Sequence, residues 1–265
     1  MKQAYLRMRI QQSHKREAIL EGIDALGYRV VAHPASLKNG PDSLIVTWNL
    51  HGDPIDVDRV RRSGGTAIVV ENPYVREDVE GNEYLAMGKN GHNGSGITPT
   101  GTEDRLKRLG VTCQFAPWRT DGKHILVVGQ RGIGSPSMRS PPQWGEHVTK
   151  KLQVLSKREV IFRPHPGLIT AKDLPPLQQQ MDEAYCIVMW ASNCATTALL
   201  QGIPVFYCAP SCVLQKACEK GYVKIEDARR DDQARLDAFW DLSYAQWTLD
   251  EIRSGEALKR YIECK

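Results

Sequence analysis

Arg163-Pro-His-Pro166 sets a guanidinium fork and an imidazole two residues apart, with a proline on each side of the histidine. The planar donors of arginine match the oxygens of a phosphate. His165, with an ordinary pKa of about 6.5, can give a hydrogen bond or a proton to a departing phosphate. The flanking prolines fix the backbone, so the ring is presented at low entropic cost. Downstream, Ser192, Asn193, Thr196 and Thr197 add hydroxyls and an amide around a helix start, and upstream Gln130 and Arg131 can close the same site. This is equipment for holding an anion and stabilising it as its charge grows.

Such residues need a parallel sheet to gather them. Residues 160–163 and 187–191 are short apolar runs of buried-strand length, each ending in polar residues. Asn193 can cap the following helix, Gly202 lies beyond its end and Pro204 two residues later, the expected order of start and stop signals. A polar loop leaving a parallel strand and entering a helix N-terminus forms an anion site at the carboxyl edge of the sheet.

Strand and helix signals alternate along the whole chain, which argues an α/β class. Strands are expected at 4–10, 29–32, 43–48 and 66–71, with helices from Ser13 to Gly27 and from Asp56 to Arg62. The exit 49–54 is polar and punctuated by Gly and Pro, as a functional loop would be. Residues 77–101 are rich in Gly, Asn and charge and read as a loop for acceptor binding or a lid, with His92 in it. A basic helix at 102–109 and a linker at 117–122 follow. The second half restarts with a strand at 124–128, a helix at 144–156, the central stretch, a strand at 204–208, and helices at 210–221, 231–240 and 248–262. Trp240, Tyr244 and Trp247 read as packing residues that tie the tail down. The expected domains are residues 1–118 and 119–265.

The 265 residues are 41% hydrophobic with a net charge of +4, an ordinary globular balance that permits a polyanionic partner without requiring one. No apolar run is long enough to span a membrane and no signal-peptide pattern opens the chain, so a cytoplasmic protein without membrane insertion is expected. Seven cysteines occur without a CxxC pair or zinc spacing and read as buried, reduced thiols. Gly129-Gln-Arg-Gly-Ile-Gly134 has the wrong glycine spacing for a dinucleotide fingerprint, and residues 136–142 do not open a helix. Asp56-Val-Asp58 sits at a helix start, where acids are expected from the dipole, so no catalytic metal and no cofactor are expected.

Arg163-Pro-His-Pro166, the Ser/Asn/Thr-rich strand end and Ala198-Leu-Leu-Gln-Gly-Ile-Pro-Val205 resemble the nucleotide-sugar half of GT-B glycosyltransferases of the capsule-polysaccharide type, which includes Kdo- and sialyltransferase-like enzymes. The resemblance implies two Rossmann-like domains facing across a cleft, with the donor phosphate held by His165 and the hydroxyl-rich loop. Glu71-Asn-Pro-Tyr-Val-Arg76 is similar to that group's Glu-Asp-Gly-Phe-Ile-Arg element, which lies on the acceptor side near the catalytic base. Asn72 stands where the group has Asp and cannot act as a base. Glu71 and Asp53 are the rival carboxylates, and Asn49, His51, Arg76 and His92 are candidate acceptor contacts.

The tail 246–255 looks similar to phage-encoded relatives, which glycosylate hydroxymethylated bases in DNA. The favoured expectation is therefore a glycosyltransferase using a nucleotide sugar, with DNA as acceptor and Arg59–Arg62, Arg105–Arg108 and Lys150–Lys151 along the phosphate backbone. The target base would have to leave the duplex. A surface or capsule glycan is the second acceptor. A UDP-sugar epimerase and a binding-only module are the other classes, the latter favoured by Asn72.

Overall fold

A computed structural model describes residues 1–8, 13–50, 55–76, 78–132, 138–168 and 174–264. Along the chain come β1 (Gln3–Arg7), α1 (Ser13–Ala25), β2 (Arg29–Val30), β3 (Ser43–Trp48), α2 (Ile55–Arg62), β4 (Thr66–Glu71), β5 (Tyr84–Lys89) and α3 (Asp104–Leu109). Then follow β6 (His124–Val128), α4 (Trp144–Leu155), β7 (Glu159–Arg163), α5 (Leu177–Asp182), β8 (Ala184–Met189), α6 (Cys194–Leu200), β9 (Val205–Tyr207) and β10 (Glu219–Lys220). The last elements are α7 (Asp232–Tyr244), β11 (Gln246–Thr248), α8 (Leu249–Arg253) and α9 (Glu256–Glu263). They form two units: Met1–Leu109 with Asp241–Lys265, and Gly110–Trp240. The tail from residue 241 therefore groups with the first unit and not with residues 119–240.

The first unit holds a six-stranded sheet in the order β11-β5-β4-β3-β1-β2. Strands β2, β1, β3 and β4 are parallel, and β5 and then β11 add antiparallel pairs. β3 and β4 are buried along nearly their whole length, which is why they read as continuous apolar runs instead of alternating ones. In α2, Asp56 faces Arg59 at 3.6 Å and Asp58 faces Arg61 at 3.4 Å, acids in the first turn and bases in the last, as the helix dipole favours.

Two expectations fail in this unit. Residues 77–101 are not one loop, because Tyr84–Lys89 is a strand buried at five of its six positions and paired on both sides. Gly, Asn and charge on either side hid it. The helix expected at 248–262 is two helices behind a short strand. Thr248 and Glu251 form a reciprocal capping box that starts α8, and Gly255, at φ 81°, separates it from α9.

The tail is tied down from within. Trp247 is 1% exposed and the Arg105 guanidinium lies 3.8 Å from its ring centre. Arg105 also meets Glu251 with two nitrogens, at 2.5 and 3.1 Å, and Arg108 reaches the same carboxylate at 2.5 Å.

The second unit holds a five-stranded, wholly parallel sheet in the order β10-β9-β8-β6-β7. The chain leaves β6 through α4 to reach β7 on one side. It leaves β8 through α6 to reach β9 on the other. The strand order thus reverses between β6 and β8, and in open parallel sheets a ligand crevice forms outside the carboxyl ends at such a point. α4 buries Trp144, Val148 and Leu152, one residue per turn, against the sheet. A Cβ on Gly145 would come 2.1 Å from the Phe162 ring, so glycine is what lets α4 lie this close to β7.

No helix forms at 210–221. The apolar residues Leu214, Ala217 and Cys218 have helical spacing, but separate turns closed by Gln215 N–H to Cys212 O and Ala217 N–H to Leu214 O carry them into β10. Among the described residues no helix is long and apolar enough to cross a membrane. The seven cysteines are free thiols, but only Cys186, Cys212 and Cys218 are buried and Cys113 is exposed; burial pushes the Cys194 thiol up to about 11, far from a reactive thiolate.

Candidate functional site

At the carboxyl edge of the second sheet a cavity of about 390 Å³ opens between the exits of β6 and β7 and the N-terminus of α4. Gln130, Arg131 and His165 line it, together with Arg139, Ser140 and Glu146, which sequence reasoning did not single out. Trp144 and Phe162 form apolar wall. A Cβ on Gly129 would meet Arg163 O at 3.2 Å and His165 N at 3.3 Å, so the β6 exit passes close under the His-Pro segment because residue 129 has no side chain.

His165 is oriented by its own turn. The Gly167 N–H donates to Nδ1 at 2.9 Å. The neutral ring therefore carries its proton on Nε2, leaving that N–H to act as a donor. Burial, and then the nearby Arg131 charge, hold the His165 pKa below its ordinary value, so the ring is neutral at pH 7. The stem of Arg131 lies against this turn, since a Cβ on Gly167 would sit 3.0 Å from Arg131 Cδ. At the α4 N-terminus, Gln143 is left-handed at φ 54° and gives no side-chain cap. Arginine, a neutral imidazole N–H and an uncapped helix start together favour an anion.

The remaining residues expected to touch a donor lie outside this cavity lining. Arg163 is 8% exposed, and its Nη1 donates to Pro175 O and to Gln180 Oε1, each at 2.6 Å. Its Nη1 thus ties the end of β7 to Pro175 and to Gln180 of α5. Thr196 is 3% exposed, and its Oγ1 is buried without a hydrogen-bond partner among the described residues. Thr197 and Asn193 are exposed and Ser192 is partly so. Asn193 stands at the N-cap without a side-chain bond, and Ser192 Oγ accepts from Cys194 N–H at 3.3 Å in its place. The end of α6 is as expected. Gly202, at φ 69°, closes it with Ile203 N–H to Ala198 O and Gly202 N–H to Leu199 O.

In the first unit Glu71 ends β4, and His92 Nε2 lies 3.4 Å from its Oε1. Asn49 follows β3, in the left-handed region at φ 45°, with its N–H on Val70 O, one strand over from Glu71. Arg76 is exposed. His51 and Asp53 lie outside the described residues.

The segment after Glu71 is held by a residue that no local pattern announces. Gln246 is fully buried, and its Oε1 accepts from Tyr74 N–H at 3.0 Å and Val75 N–H at 2.9 Å. Of the basic stretches suggested for a phosphate backbone, Arg105 and Arg108 are committed to Glu251, and Arg59 to Pro34 O, Leu37 O and Asn39. Lys150 and Lys151 are exposed.

No family model matches the sequence, and no curated protein matches it. Solved structures do. The beta Kdo 2,7 transferase of KpsC from Thermosulfurimonas dismutans aligns with a TM-score of 0.56 at 13% identity, over 98% of this chain and 100% of that one. The beta Kdo 2,4 transferase of the same protein aligns with a TM-score of 0.54 at 11% identity, over 93% of this chain and 92% of that one. The likeness extends along both units, and what the three chains share is a mixed α/β fold built on parallel sheets.

Proposed function

We propose that this chain is a glycosyltransferase that moves a sugar from a nucleotide-activated donor to an acceptor hydroxyl. The observation that carries the reading is the cavity at the carboxyl edge of the second sheet, where Arg131, the His165 Nε2–H and the uncapped start of α4 converge. In this reading the donor phosphate lies there. As the bond between the sugar and the phosphate oxygen breaks, negative charge grows on that oxygen and is met by Arg131, His165 and the helix N-terminus, without a metal ion. Glu71, in the first unit, takes the proton from the acceptor hydroxyl as the new glycosidic bond forms. The arrangement that GT-B implies for the two units belongs to the same proposal.

A glycan hydroxyl is the favoured acceptor. The fold is shared with Kdo transferases, and the internal ties of Arg59, Arg105 and Arg108 weaken the case for DNA. The test incubates the chain with a panel of CMP-, UDP- and GDP-sugars. One set of reactions contains a Kdo-terminated oligosaccharide and the other contains DNA with hydroxymethylated pyrimidines. Products are read by mass spectrometry, with His165→Ala as control. A sugar-sized mass gain on the oligosaccharide, lost in the control, is expected. A gain on the DNA alone would move the acceptor to a nucleobase. No transfer from any donor, with a nucleotide still bound, would reduce the protein to a binding module.

A further inference from the structure

We propose that His92 positions the Glu71 carboxylate for its work on the acceptor, and that the loop between Lys89 and Ile97 is built to hold it there. The inference rests on the reading of Glu71 as the base. Lys89 and Ile97 exchange both backbone hydrogen bonds at 2.9 Å, closing the loop, and Asn90 N–H donates to Ala67 O at 2.8 Å. Three glycines allow the fold-back. A Cβ on Gly88 or on Gly96 would come 2.3 Å from Gly91 O, and one on Gly91 would come 2.7 Å from Ser95 Oγ. The carbonyl of His92 is fixed by Ser95, whose N–H and Oγ donate to it at 3.0 and 2.7 Å.

The register shows what this closure achieves. Gly88 pairs with Val69 and Ala86 with Glu71, so Gly88, Val69, Ala86 and Glu71 share a sheet face. His92 Cα lies 3.6 Å from the position a Gly88 Cβ would take, and its ring extends over that face to Glu71. The imidazole is 14% exposed and the carboxylate 28%. With Nε2 facing a carboxylate oxygen, the ring proton sits on Nε2 and the lone pair on Nδ1.

Nδ1 is buried and has no partner among the described residues. The 3.4 Å separation is long for a hydrogen bond, as catalytic pairs without substrate commonly are. His92 acts as a positioning residue: it steadies the carboxylate that takes the proton.

Two measurements on the full chain test this. In long-range proton–nitrogen spectra, His92 is expected as the Nε2–H tautomer, and Glu71→Gln is expected to shift its ring nitrogens. Unchanged ring signals in that variant would overturn the pairing without reference to activity. The second measurement is transfer, with the donor and acceptor that score in the panel. His92→Leu is expected to lower kcat about tenfold to a hundredfold with little change in donor KM, as a misplaced catalytic group does. His92→Gln, whose amide can donate from the Nε2 position, should recover most of the rate. The Glu71→Gln/His92→Leu double variant should be no slower than Glu71→Gln alone. Wild-type rates in His92→Leu beside an inactive Glu71→Gln would remove the role of His92 and leave Glu71 standing. A fully active Glu71→Gln, or no transfer from the panel at all, would remove both.

Discussion

The ion cluster under the tail offers the sharpest test of the energetics. Glu251 accepts from Arg105 Nη1 and Nη2, Arg108 Nη2 and the Thr248 N–H, at 2.5, 3.1, 2.5 and 2.9 Å. The Arg105 side chain is 10% exposed and the Glu251 side chain 13%, so solvent screens this contact little. Glu251→Ala leaves the Arg105 cation buried without its counter-charge, which costs about 3–5 kcal/mol. It also removes the acidic half of the capping box, worth about 1 kcal/mol. The expected loss is therefore about 4–6 kcal/mol, a large share of the roughly 5–15 kcal/mol that stabilises a domain.

Burial alone would raise the Glu251 pKa, but the hydrogen bonds and charge of Arg105, with Thr248 and Arg108, outweigh it and hold the carboxyl below its ordinary range. A depressed carboxylate pKa contributes stability that is full above the unfolded value of about 4.3 and is lost as pH falls through the folded value. Urea melts of wild type and variant at pH 7 and again in this acid range are the assay. The gap between them should be wide at pH 7 and narrow in acid. A loss under about 1 kcal/mol at pH 7 would refute the reasoning and make the cluster an ordinary surface pair.

Two further predictions concern the cavity at the carboxyl edge of the second sheet. Arg131→Met removes the positive charge beside His165, so the His165 pKa, read by NMR titration, should rise toward about 6.5, and nucleotide affinity should fall through loss of a charge-assisted contact. An unmoved His165 titration would separate the two groups. Gly145→Ala brings a methyl 2.1 Å from the Phe162 ring, so stability should drop by about 1–3 kcal/mol and donor binding should weaken as Phe162 shifts into the cavity. Unchanged melts and affinity would show that the ring yields freely.

The sequence by itself determined what short-range patterns can encode. β3, β4 and β6 lie at the expected residues because each is a buried apolar run with a polar exit. α2 and α4 lie where helices are expected, and α6 closes at its stop signal, Gly202. Gln130, Arg131 and His165 were legible in the same way, as residues that local loops carry to one sheet edge.

Tertiary structure alone decided the rest. Arg163 and Thr196 have the right chemistry for a phosphate, but packing turned one toward Pro175 and Gln180 and buried the other. β5 and β11 are strands because β5 pairs with β4 on one side and with β11 on the other, not because their own residues demand it. The same pairing draws residues from 241 onward into the first unit. Gln246 holds Tyr74 and Val75 from more than 170 positions away, and His92 meets Glu71 only because three glycines let a loop fold back across the sheet. Contacts of that kind are set by the shared burial of segments remote in sequence, and no local periodicity records them.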